Sequence, residues 1–128
     1  ALPIFSAAYD VIDSLSGARV GVIRRKGLRS MVRDEWHLLD ADEHPLAVMQ
    51  EDDLKLALLR RFLLGVFLPQ NYDILSNGQR LVDVRQRFNL FRYELDIDFS
   101  PDPDRRIDRR LGIAAGILLA AIEGRQDS

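Results

Sequence analysis

Arg109-Arg110-Leu111-Gly112-Ile113-Ala114-Ala115-Gly116-Ile117-Leu118-Leu119-Ala120-Ala121-Ile122-Glu123 is the stretch on which the fold turns. No residue between Arg110 and Glu123 is charged, and from Ile107 onward apolar side chains fall nearly all round a helical projection. A helix apolar on every side is surrounded by lipid or by protein. At about 1.5 Å per residue the uncharged run reaches about 18 Å, short of the roughly 30 Å hydrocarbon core. Protein is therefore expected around it, with Ile117 among the enclosed residues. Gly112, Ala114, Ala115, Gly116, Ala120 and Ala121 slim the cylinder. Asp102 or Asp104 is expected to cap the helix, with Pro103 in its first turn and the body running from about 105 to 125.

Three hairpin patterns upstream supply a wall for such a helix. Tyr9-Asp10-Val11-Ile12-Asp13 leads to Val20-Gly21-Val22-Ile23, Trp36-His37-Leu38-Leu39-Asp40 to Leu46-Ala47-Val48, and Tyr72-Asp73-Ile74-Leu75-Ser76 to Leu81-Val82-Asp83-Val84. The joints, Ser14 to Gly17, Ala41 to Pro45 and Asn77-Gly78-Gln79, hold the residues that supply turn dihedrals. A fourth strand signal is the strict alternation of Phe91, Tyr93, Leu95, Ile97 and Phe99 with Arg92, Glu94, Asp96 and Asp98. A tight turn at Asn89-Leu90 would set Val84 opposite Leu95, Arg85 opposite Glu94 and Asp83 opposite Asp96, although Leu90 suits such a turn poorly. Val82, Val84 and Phe88 would then face inward, and Asp83, Arg85 and Arg87 outward. Asp52 to Leu64 reads as a short amphipathic helix with Arg60-Arg61 on its wet edge. The expected architecture is an antiparallel barrel wrapped around its own last helix, because a barrel of that width left hollow would hold a destabilising dry cavity.

Length and composition bound the function. A chain of 128 residues, 47% apolar, suits one domain with a real core. There is no cysteine, which excludes disulfides, thiolate catalysis and Cys-based metal sites. The formal net charge of −2 argues against a dedicated nucleic-acid binder. The 18 basic residues are nearly all Arg, a ratio that codon bias alone can give. The chain opens Ala1-Leu2-Pro3-Ile4 without Met, which points to a missing upstream piece, and no signal peptide is expected.

The hairpin from Tyr9 to Gly17, the basic stretch Arg24-Arg25-Lys26-Gly27, the Asp34-Glu35-Trp36 strand start and the run from Asp108 through Glu123 together resemble the LURP-one-related, tubby-C-terminal-like superfamily, whose other relatives are the phospholipid scramblases. The resemblance spans roughly residues 5–126. It implies a mainly β fold, a tubby-like antiparallel β-barrel enclosing a hydrophobic C-terminal α-helix, in a single domain over residues 1–128. About eight strands can be counted, fewer than the family barrel has. The phosphoinositide-binding residues of tubby proteins do not map onto clear positions here, and none is carried over.

The chemistry-bearing residues are few. His37 lies in a strand and His44 in a turn beside Pro45, with no third ligand placed, so neither a metal nor a cofactor is expected. No nucleophile elbow, glycine-rich phosphate loop or metalloprotease motif occurs, so no catalytic residue is named and no enzymatic activity is expected. Glu94, Asp96 and Asp98 form a carboxylate row that reads as a solvated strand face with Arg85, Arg87 and Arg92 as partners. Arg105, Arg106, Arg109 and Arg110 interleave with Asp102, Asp104 and Asp108 and read as paired, structural arginines at the barrel mouth.

Arg24, Arg25, Lys26, Arg29 and Arg33 form the sharpest candidate: five cations around Gly27, free of acids until Asp34. Arg24 and Lys26 share one face if the strand continues. Such a patch can dock an anionic phospholipid headgroup, at about 1 kcal/mol per cation near an acidic membrane. Nucleic-acid phosphate is a less favoured use, and a protein partner is left unspecified. The plainer reading is an edge hairpin kept from aggregating by its charge. The sequence thus points to a binding module at a cytoplasmic, peripheral membrane position, or to a structural or protein-interaction domain.

Overall fold

The computed structural model describes residues 5–26, 35–51, 71–87, 92 and 94–126. Seven strands run in the order β1 (Phe5–Ile12), β2 (Arg19–Lys26), β3 (Glu35–Asp40), β4 (Pro45–Glu51), β5 (Asn71–Ser76), β6 (Gln79–Arg87) and β7 (Glu94–Asp98), followed by α1 (Arg109–Gln126). Each strand pairs antiparallel with the next, so the sheet order is the sequence order. The sheet curls into a half-barrel with α1 at its concave face.

Local chemistry sets the turns that make this meander. Asp13 Oδ1 accepts hydrogen bonds from the Leu15 amide (2.8 Å) and the Ser16 amide (3.3 Å), which folds the β1–β2 connection. Asn77 (φ 51°) and Gly78 (φ 80°) both take left-handed backbone between β5 and β6, the pairing that a two-residue hairpin matched to strand twist requires. Asp40 Oδ1 accepts from the amides of Asp42 and His44, each at 2.9 Å, and closes the β3–β4 connection.

The core lies on the concave face. Ile23, Trp36, Leu38, Met49, Tyr72, Ile74, Val82 and Val84 point into it from β2 to β6, and Ile107, Leu111, Ala115 and Leu119 meet them from the C-terminal side. Each fully buried large side chain contributes roughly 1.5–3 kcal/mol of transfer free energy. Two helical glycines bring α1 against β7. A Cβ on Gly112 would sit 2.6 Å from Phe99 Cε1, and one on Gly116 would sit 2.5 Å from Ile97 Cδ1. Leu111 also reaches Gly21 of β2, so the helix ties β2 to β7 across the curl.

Four expectations need correction. The β6–β7 register is displaced by two residues: Val84 faces Ile97, Arg85 faces Asp96, and Asp83 faces Asp98. A slip of two preserves the faces of both strands, so hydrophobic patterning fits either register. Asp83 is buried at 7% exposure and Leu81 at 1%, so that part of β6 is covered on both sides. The helix begins at Arg109, capped by Asp108, whose Oδ1 accepts the Arg110 amide at 2.9 Å. Asp102 serves the preceding turn instead. Finally, α1 has an open flank: Ile113 is 46% and Ile117 64% exposed, while Leu111, Ala115 and Leu119 are fully buried. No helix among the described residues is long and apolar enough to cross a membrane. The expected 52–64 helix, with Arg60-Arg61, lies outside the described residues, as do Phe88, Phe91 and Tyr93.

Candidate functional site

The cationic end of β2 holds Arg24, Arg25 and Lys26; Arg29 and Arg33 lie outside the described residues. Strand alternation separates the three. Ile23 points into the core and Arg25 follows it on the same side, stacking over the Trp36 ring at 5.3 Å from its centroid. Arg24 and Lys26 share the opposite, convex face, as the spacing predicts. All three are half-buried. Arg25 is thereby committed to Trp36, which is fully buried and whose Nε1 has no hydrogen-bond partner among the described residues.

Arg24 has a partner that sequence reading missed. Its guanidinium Nη2 donates to Glu43 Oε1, an acid nineteen positions away on the β3–β4 turn. Arg19 reaches the same carboxylate, with Nη2 3.8 Å from Oε2, and donates to the Ala41 carbonyl through Nη2 (2.5 Å) and Nε (3.1 Å). Glu43 adopts φ 65°, a left-handed backbone that costs a non-glycine residue about 1 kcal/mol. Its pairing with two arginines offsets that cost and explains an acid where glycine or asparagine would relax the turn. His37 stands directly opposite Arg24 across β2 and β3, and its Nε2 lies 2.9 Å from Glu35 Oε1.

The remaining charged clusters are explained by the fold. Asp40, Asp42 and His44 bring their ligand-type atoms within 4.8 Å of one another. The Asx geometry of the turn accounts for that closeness, and the His44 amide is the main reason the Asp40 carboxyl titrates below the usual range. Arg109 Nη1 lies 3.0 Å from Asp102 Oδ2, and its guanidinium stacks 4.6 Å from the Phe99 centroid. Arg110 bridges Asp108 (2.8 Å) and Asp13 (2.7 Å), and those two carboxylates raise its own pKa. Arg106 donates to Gln79 at 2.8 Å. Arg109 and Arg110 are thus paired with acids as the interleaving implies, whereas Arg106 turns to a glutamine. On the β7 row, Arg92 meets Glu94 at 2.9 Å and Arg87 meets Asp96 at 3.5 Å, while Arg85 turns to Asp83 of its own strand at 2.9 Å.

Set beside known proteins, the chain matches no family model, no curated protein and no solved structure.

Proposed function

We propose that this chain is a non-enzymatic binding module that engages anionic lipid headgroups through the cationic end of β2. The observation that carries the reading is the placement of Arg24 and Lys26 on one convex face, with Arg25 held behind them by Trp36. Cations near an acidic surface each contribute about 1 kcal/mol. Such a module works peripherally, at a cytoplasmic membrane face. Its architecture is a single tubby-like domain of the LURP-one-related type over residues 1–128. The barrel takes in α1 along its Leu111, Ala115 and Leu119 side, with Ile113 and Ile117 at the open edge. The meander of hairpins closed by an apolar helix supports this reading.

The second reading is a structural or protein-interaction domain whose charges serve the fold. The Arg24–Glu43–Arg19 cluster favours it, because an intramolecular acid already satisfies one cation of the patch.

Vesicle co-sedimentation at low salt separates the two. Phosphatidylserine-containing vesicles should bring the protein down and pure phosphatidylcholine vesicles should not. Reversing Arg24, Arg25 and Lys26 to Glu should abolish the difference. Absence of binding at low salt, or binding that survives the reversal, leaves the structural reading.

A further inference from the structure

The convex face of the sheet carries a cavity beside Arg24. It has a volume of about 420 Å³ and lies over β3, β4 and β5, between the β3–β4 and β5–β6 turns. That volume falls within the roughly 300–1,000 Å³ of small-molecule sites. The floor is apolar: Leu39, Leu46, Val48 and Leu75 line it, with Val48 directly opposite Leu75. A bulge in β4 leaves Leu46 without a partner between Ala47 and Pro45 and lets it join the lining. The charged groups collect on one wall, where Arg24 stands beside His37 and Glu43.

We infer that this cavity binds a small amphipathic carboxylate, with its head on Arg24 and its apolar body across Val48 and Leu75. Glu43 identifies the head group. The fold already places a carboxylate on the Arg24 guanidinium at the rim of the cavity, so the geometry for that contact exists. Glu43 also has a second anchor in Arg19. An incoming carboxylate therefore displaces Glu43 from Arg24 without leaving it unpaired, and no new charge is stranded. The floor identifies the body: four aliphatic side chains offer no hydrogen bond, so a wholly polar anion would leave them wet. The site overlaps the proposed headgroup contact without coinciding with it. It shares Arg24 with that contact, but Arg25 and Lys26 are not among its walls.

Decanoate is the test ligand, titrated below its micellar range into the full chain and followed by backbone amide shifts and calorimetry. Decanol tests the head and inorganic phosphate tests the body. Decanoate should bind with shifts centred on His37, Val48, Leu75 and Asn77, and both controls should bind at least tenfold more weakly. Glu43→Gln removes the competing carboxylate and should tighten decanoate binding several-fold. Arg24→Gln should reduce decanoate to the affinity of decanol. Lys26→Glu should weaken vesicle binding and leave decanoate unchanged, which keeps this inference and the headgroup reading separately testable. Decanol binding as well as decanoate, shifts centred elsewhere, or Glu43→Gln binding no tighter than the parent chain would each overturn the inference.

Discussion

Asp102 Oδ2 and Arg109 Nη1 lie 3.0 Å apart beneath the first turn of α1, with Asp102 only 1% exposed. The same carboxylate accepts the Arg106 amide at 2.9 Å and the Ile107 amide at 3.0 Å. Arg109 Nη2 closes the loop by donating to the Asp102 carbonyl at 2.6 Å. One buried acid thus organises the turn that delivers the chain from β7 into α1. Asp102→Ala would strand two backbone donors and a half-buried guanidinium. Removing one partner of such a cluster costs about 3–5 kcal/mol, and denaturant unfolding should register a loss of that order.

Acid should unfold the protein through the same group. Burial pushes the Asp102 carboxyl up, but the Ile107 and Arg106 amides and the Arg109 guanidinium outweigh it and hold the pKa below the usual value. The folded state therefore binds fewer protons than the unfolded chain as pH falls through the carboxylate range. The resulting stability is complete above the unfolded value of about 3.9 and is lost as pH drops through the depressed folded one. Asp108 and Asp13 act in the same direction, the first chiefly through Arg110 and the second chiefly through the Leu15 amide. Unfolding midpoints measured from about pH 6 to pH 2 should fall with acid. Asp102→Asn should have a visibly shallower fall.

The two helical glycines should respond differently to alanine. Replacing glycine inside a helix gains about 1 kcal/mol, while overpacking costs about 1–3 kcal/mol. At Gly112 the new methyl would strike the Phe99 ring, which Arg109 holds from its own stacking position. The ring has little freedom to move, so Gly112→Ala should be destabilising by about 1–2 kcal/mol. At Gly116 the obstacle is the terminal carbon of Ile97, which can change rotamer. Gly116→Ala should be close to neutral. Thermal melts of the two variants would reverse this ordering if Ile97 were the more rigid neighbour.

A charge on α1 distinguishes its two sides. Ile117→Asp places a carboxylate at a 64% exposed position and should leave a folded protein within about 1 kcal/mol of the parent. Leu119→Ala opens a cavity at a fully buried one and should cost about 2–5 kcal/mol. Circular dichroism with urea titration measures both.

The hairpins were legible because their signals are local. Tyr9 to Ile23, Trp36 to Val48 and Tyr72 to Val84 each carry alternation, a turn residue and a return strand within about twenty residues, and each forms as read. The β6–β7 register was not legible, since pairing Val84 with Leu95 or with Ile97 buries the same faces. The open flank of α1 was hidden for a related reason: a helix apolar on every side offers no contrast from which to choose the wet one. In the candidate site, Arg24 and Lys26 could be placed on one face from spacing alone. Glu43 could not be joined to them. Its turn looks like any polar hairpin tip, and only the approach of that tip to β2 brings its carboxylate to Arg24.

The sequential order of the sheet also bears on how the chain reaches this state. Every strand finds its partner next in sequence, and the β1–β2, β3–β4 and β5–β6 hairpins close over six residues or fewer, at a small entropic cost. The long-range closure belongs to α1, where Leu111 meets Gly21 and Arg110 meets Asp13, ninety-seven positions away. Docking of the helix is therefore expected to come late in folding. Truncating Leu111 should accelerate unfolding far more than it slows folding, whereas loosening the Asn77-Gly78 turn should slow folding itself.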